Sequence, residues 1–176
     1  QHGLIWEGAA GTEASAASHR GASLRIASNT KTFVAATLLV LSERGRIDLD
    51  APAQRWLMPP TTSALRSVGY DPQRITVRML LQHTSGLRDH SSLDAFLAQV
   101  KAQPQRRWTR GEQLDLALRA GPPLAPPGQL FHYSDTGYIL LGEVIEAVTG
   151  APLPAAIRST LDFKRLGLNH TWFESL

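Results

Sequence analysis

The stretch RIASNTKTFVAATLLVL, residues 25–41, decides how the rest of the chain is read. Lys31 is the only lysine among the first 100 residues. Phe33, Val34, Ala35, Ala36, Leu38, Leu39, Val40 and Leu41 follow it and place apolar side chains on every face, which predicts a helix buried all round. A lysine at the mouth of such a helix loses the hydration that favours its charge, so it needs a partner or a chemical task. Ser28 stands three residues earlier, and positions three apart share a helical face. Helix-terminal N–H groups and the helix dipole favour negative charge near the serine oxygen. A desolvated lysine has a lowered pKa and can take the serine proton. A capping serine beside a lysine that snorkels to solvent also fits these residues taken alone.

Composition sets the frame around that helix. The 176 residues are one domain's worth, with 43% hydrophobic and 19% charged residues, a globular mixture able to bury a core. No run of apolar residues is long enough to span a membrane, and no basic-then-apolar leader stands at Gln1. The absence of cysteine excludes a disulfide scaffold and thiolate metal sites. Six histidines occur without metal-binding spacing, so neither a metal nor any other cofactor is expected. The net charge of +3 is scattered, with Arg106, Arg107 and Arg110 its densest group, and reads as a solvated surface; nucleic acid is not an expected partner.

Along the chain, Leu4 to Glu7 and Ser23 to Ile26 read as short strands. A helix is predicted from about Asn29 to Arg44, closed by Gly45, with Pro52 opening a short helix toward Trp56. PPTTSALRSVGYDPQR, residues 59–74, is rich in turn formers and reads as irregular. Thr76 caps a helix that stops by Gly86. Further helices are expected from Ser92 to about Lys101, after the Thr109–Glu112 capping box as far as Gly121, from just past Ser134 to Gly150, and near Pro154 to Leu161. The proline-rich segment 122–134 cannot be helical. There is no internal repeat and no linker.

Two further segments bear on chemistry. In FHYSDTGY, residues 131–138, Tyr133 and Asp135 flank a serine where a loop enters a helix, an arrangement able to aim a phenol and a carboxylate into a cleft. A packed aromatic with a bonded hydroxyl is the plainer reading of Tyr133. LLQHTSGL, residues 80–87, reads by itself as a helix end and a turn.

Taken in order, these segments resemble the serine β-lactamase and penicillin-binding-protein superfamily, in the branch of class C β-lactamases, D-alanyl-D-alanine carboxypeptidases and related esterases. ITVRMLLQHTSGL, PGQLFHYSDTGYILLGEVIEAVTG and LGLNHTWF extend the likeness over nearly the whole chain. The resemblance implies an α+β fold of the serine β-lactamase type, mostly its helical subdomain with a small remnant of antiparallel sheet. Residues 1–27 would be the sheet remnant and 28–176 the mainly helical part of one partial domain. It implies a serine hydrolase that forms an acyl-enzyme on Ser28, with Lys31 as proton acceptor or electrostatic partner and Tyr133 as general base and acid. Asp135 would lie in the substrate-binding position. The substrate would be a β-lactam, peptide amide or ester, small or derived from cell-wall peptide, and the location periplasmic or extracellular. A carboxypeptidase or esterase, or a penicillin-fold binding protein without turnover, are the competing readings.

Two departures from the family pattern matter. The usual Tyr-x-Asn is Tyr133-Ser134-Asp135 here, and an ionised carboxylate accepts hydrogen bonds but cannot donate one. Asp135 is therefore expected to pair with Lys31, weakening it as a base, and to disfavour β-lactam hydrolysis. The K-T-G or H-x-G element that edges the family's site is expected after the tyrosine loop, and neither pattern occurs in residues 139–176. The chain is accordingly expected to be a fragment, a poor catalyst alone, and prone to associate with another copy or with the remainder of the protein.

Overall fold

The computed structural model describes residues 23–173, which hold seven α-helices and three short 3-10 turns. The chain divides after Thr30 into two units, and residues 23–30 are the described part of the first. There, residues 23–26 are irregular and not the expected strand, and a 3-10 turn, Ala27–Asn29, carries Ser28. The other expected strand, Leu4 to Glu7, lies outside the described residues. Ala27 adopts φ 44, in the left-handed region that costs an L-residue about 1 kcal/mol or more. The turn is closed by the Asn29 N–H donating to the Ile26 carbonyl at 3.0 Å.

The second unit is an assembly of helices around one core. Helix α1, Thr30–Glu43, matches the predicted span to within a residue and ends at Gly45, whose φ of 65 is the left-handed cap expected of it. Only one face of α1 is fully buried, through Val34, Thr37, Leu38 and Leu41. Leu39 is 50% exposed, and Thr32, Phe33, Ala36 and Val40 line an open groove against residues 160–166, so α1 is not buried all round.

Helix α2, Pro59–Ser67, occupies the segment that reads as irregular. Its prolines sit in the first turn, where a missing N–H costs nothing and a fixed φ suits the helix. The stabilising partner is remote in sequence. Glu143, itself buried, accepts from the Met58 N–H and from the Thr61 hydroxyl (3.0 Å), placing a carboxylate at the positive end of α2.

Helix α3, Val77–Leu81, is capped by Thr76, whose hydroxyl accepts the Met79 N–H at 3.1 Å. An isolated antiparallel bridge joins Pro52 to Thr76 and is the β pairing found among the described residues. Helix α4, Asp94–Ala102, follows a 3-10 turn at His90–Ser92. Helix α5, Arg110–Arg119, begins with the predicted capping box, Thr109 and Glu112 each bonding the other's backbone. Helix α6, Asp135–Thr149, starts at the N-cap Ser134 and ends at left-handed Gly150; α7, Leu153–Thr160, closes the order. Leu140, Leu141, Val144 and Ile145 of α6 are fully buried with Leu38, Leu65 and Leu80. α6 is thus the central helix, and its N-terminus is fixed by its neighbours. No single helix among the described residues is long and apolar enough to cross a membrane.

Gly86 shows how tightly the loop ahead of α6 is laid on the turn after α3. Its φ is 79, and a Cβ there would stand 2.2 Å from the Ala125 carbonyl oxygen. Backbone strain and a backbone clash would coincide, so Gly86→Ala is expected to cost on the order of 3 kcal/mol. Chemical denaturation of the variant checks this; an unchanged midpoint would mean that the two loops part easily.

Candidate active site

The candidate site is built where the turn after α3 receives the loop that leads into α6. The peptide groups of residues 83–88 accept that loop in sequence. The Gly86 carbonyl accepts the Leu124 N–H (3.0 Å), the Thr84 carbonyl accepts the Gly128 N–H (2.7 Å), and the His83 carbonyl accepts the His132 N–H (2.8 Å). The Ser134 hydroxyl then donates to the Arg88 carbonyl (3.2 Å) while accepting the Gly137 N–H (3.2 Å). Asp89, also buried, accepts the Asp135 N–H at 2.9 Å. HTSGL is therefore the floor on which the tyrosine loop lies.

On that floor Lys31, Tyr133 and Asp135 come together. The Lys31 ammonium forms an ion pair with the Asp135 carboxylate and stands 4.9 Å from the centre of the Tyr133 ring and 5.5 Å from that of Tyr138. The two ion-pair side chains are 17% and 29% exposed, screened from water but reachable from it. Ser28 belongs to the preceding unit and is described there; along the chain it precedes Lys31 by three residues.

The electrostatics follow from the pairing. Burial draws the Lys31 ammonium down, yet the hydrogen bonds and charges of Asp135 and Tyr133 outweigh it, and Lys31 ends above the ordinary lysine value. The apolar helix taken alone predicts the opposite direction, whereas the pairing with Asp135 expected from the sequence, which would hold Lys31 charged, predicts this one. The difference is Asp135, which keeps Lys31 an ammonium ion. Burial likewise pushes the Asp135 carboxyl up, and Lys31, then Ser91, bring it below the usual carboxylate range. His83 is held below the ordinary histidine value by burial first and by Lys31 second. His90, buried behind Asp135 with its Nδ1 3.0 Å from the Thr136 hydroxyl, is lowered by burial. The site therefore offers an ammonium ion, a carboxylate bound to it and a half-exposed phenol, with neutral imidazoles behind them.

His83 is the residue that the sequence reading passes over. Its ring stacks on Tyr133 with centroids 4.5 Å apart and planes 29° from parallel, and it packs on Tyr138 at 5.1 Å. The available signal was its place in LLQHTSGL, but nothing local ties a turn histidine to a loop some fifty residues on. Tyr138 is a second such case: its hydroxyl donates to the Leu81 carbonyl at 3.1 Å and anchors α6 to the end of α3. Among the described residues no group of histidine and acidic side chains is arranged to hold a metal ion.

This arrangement can be set beside known proteins. A D-stereospecific amidohydrolase from a Streptomyces species superimposes with a TM-score of 0.73 at 39% identity, covering 82% of this chain and 42% of that one. Esterase EstB of Burkholderia gladioli is 32% identical over 179 residues, which is 96% of this chain and 43% of the esterase. Penicillin-binding protein 4* of Bacillus subtilis (strain 168) is 29% identical over 147 residues, 83% of this chain and 29% of that protein. The chain thus spans less than half the length of each of these relatives. The family model for Beta-lactamase matches residues 3–176, so the chain belongs to the beta-lactamase family, whose members similar to it include an amidohydrolase, an esterase and a penicillin-binding protein.

Proposed function

We propose that this chain carries the acylating residues of a serine hydrolase for small amide or ester substrates, with Ser28 as nucleophile. The observation that supports this most is the Lys31 ammonium held between Asp135 and Tyr133. A lysine fixed in its charged form does not take the serine proton. It stabilises negative charge nearby, and the phenol oxygen of Tyr133 is left as the proton carrier. The Ser28 hydroxyl oxygen attacks the substrate carbonyl carbon, and its proton passes to the Tyr133 oxygen as the phenol gives its own proton to the leaving nitrogen or oxygen. The tetrahedral intermediate collapses, the C–N or C–O bond breaks, and the amine or alcohol departs with that proton. Water then attacks the Ser28 ester, and the same relay runs in reverse: a water proton passes to the Tyr133 oxygen as the phenol gives its own proton to the Ser28 oxygen and the acid departs.

Amide and ester substrates are favoured over β-lactams because of residue 135. A carboxylate already bound to Lys31 offers no N–H to a substrate carbonyl, where the family's asparagine would. The Streptomyces relative is a D-stereospecific amidohydrolase and the Burkholderia relative an esterase, which points the same way. The full-length protein should release the leaving group of an activated ester or anilide in a burst followed by steady turnover, and open penicillin far more slowly. Absence of a burst with every acyl donor would replace this reading with that of a binding protein.

Asp135→Asn tests the residue-135 argument directly. Removing the carboxylate takes away what holds Lys31 above its ordinary value and restores an amide donor. Acylation by a chromogenic cephalosporin should then rise about tenfold, near the upper end of what one amide-to-carbonyl hydrogen bond contributes. An unchanged rate would show that the carboxylate is not what disfavours β-lactams.

A further inference from the structure

We infer that His83 is a positioning residue that fixes Tyr133 for proton transfer. This rests on the role proposed above for Tyr133. Tyr133 is 41% exposed and lies outside the buried core, so neighbouring groups at the surface of the site share in setting its direction. His83 supplies support at three points. Its ring lies against the face of Tyr133 at 4.5 Å. Its carbonyl accepts the N–H of residue 132 at 2.8 Å, and its Nδ1 accepts the N–H of residue 134 at 3.1 Å. One side chain and one peptide group therefore hold the backbone on both sides of the tyrosine as well as its ring.

The cost of this grip is visible in the backbone. His83 has φ 57, a left-handed conformation uncommon for a residue other than glycine and found more often at asparagine, aspartate and histidine. α3 ends two residues earlier, at Leu81, and the left-handed residue follows its C-cap, Gln82. Phe131 meets the same ring edge-on at 6.1 Å, and Tyr138 packs on it at 5.1 Å, so the imidazole is wedged among three aromatic rings.

The ring must be neutral for this role, with its proton on Nε2, since Nδ1 accepts a hydrogen bond. The charged and titratable groups facing it are Lys31 of α1, Asp135 at the start of α6, Asp89 in the segment after the turn, and the phenols Tyr133 and Tyr138. Burial and Lys31 oppose protonation, and the two carboxylates favour it. A protonated ring would present N–H to the N–H of Ser134 and open the clamp.

The test uses the full-length protein and an activated ester. His83→Asn keeps a residue tolerant of the left-handed backbone but removes the stack; His83→Phe keeps the ring but removes the acceptor. Each should lower kcat roughly 10- to 100-fold, the range a displacement of about 1 Å produces, with KM little changed. In a Tyr133→Phe background the same changes should have no further effect on kcat. Wild-type kcat, or an equal loss in that background, would overturn the inference. Should both variants fail to fold, the wild-type pH profile decides it. An acid limb is expected below the ordinary histidine value of 6.5, and a profile flat down to about pH 4, the ordinary aspartate range, would overturn the inference. If Tyr133→Phe alone leaves kcat intact, the tyrosine role itself has failed; if only the His83 variants are silent, the clamp has.

Discussion

Lys31→Met should slow acylation of an ester by about 10²–10³-fold in the full-length protein, the loss that follows removal of one group stabilising transition-state charge. Methionine keeps the length and apolar stem of lysine, so packing on Tyr133 and Tyr138 is largely retained and the missing charge is what is measured. The variant also leaves Asp135 without its ion-pair partner. Because that carboxylate is 29% exposed, water compensates in part, and the stability loss should be about 1 kcal/mol. Single-turnover kinetics separates the two effects. An acylation rate within a factor of two of wild type would remove Lys31 from the mechanism.

The same pair fixes a pH window for stability. Lys31 lies above its ordinary value in the folded protein, so its contribution is complete below that value and is lost as pH rises through the folded one. Asp135 lies below its ordinary value, so its contribution is present above that value and is lost as pH falls through the folded one. The wild type should therefore gain over Lys31→Met across the neutral range, with the difference fading at both extremes. A difference that grows toward acid would contradict the pairing.

Tyr133→Phe should reduce kcat by roughly 10²–10⁴-fold, the usual worth of a positioned general acid–base group. The ring is retained, so the 4.5 Å stack on His83 and the contact with the Lys31 ammonium survive, and the fold should be unchanged. What is lost is the oxygen proposed to carry the proton between Ser28, the leaving group and water. The loss should be greater for an anilide or alkyl amide than for an activated ester, because a poor leaving group depends more on receiving that proton. Equal and small losses for both substrates would mean that another group carries the proton.

Sequence patterns revealed the helices whose end signals are local. Gly45 and Gly150 end α1 and α6 in the left-handed conformation, and Thr109 with Glu112 starts α5, because caps operate within a few residues. α2 was not legible for the converse reason. Its N-terminus is completed by Glu143, which lies 85 residues from Met58, so the local sequence shows prolines without the partner that makes them a helix start. The apolar run of α1 announced a helix but not its environment: a composition fit for complete burial leaves Leu39 half exposed.

The site was legible to a similar depth. Lys31, Tyr133 and Asp135 could be named because motifs fix their type and order, and the pairing of Lys31 with Asp135 followed from charge alone. The sequence set burial, which lowers Lys31, against Asp135, which holds it charged; which of the two wins depends on distance, and the structure decides for the carboxylate. His83 escaped because stacking and a ring acceptor across 51 residues leave no trace in spacing.

The central claim is that Ser28 is the acylated residue, and peptide mapping tests it most directly. Full-length protein is treated with a fluorophosphonate or an activated ester, digested, and the modified peptide sequenced by tandem mass spectrometry, with Ser28→Ala alongside. The adduct is expected on Ser28 and on no other residue, and it should be absent from a Ser28→Ala protein that remains folded. An adduct on Ser134, or labelling that survives Ser28→Ala, would contradict the account.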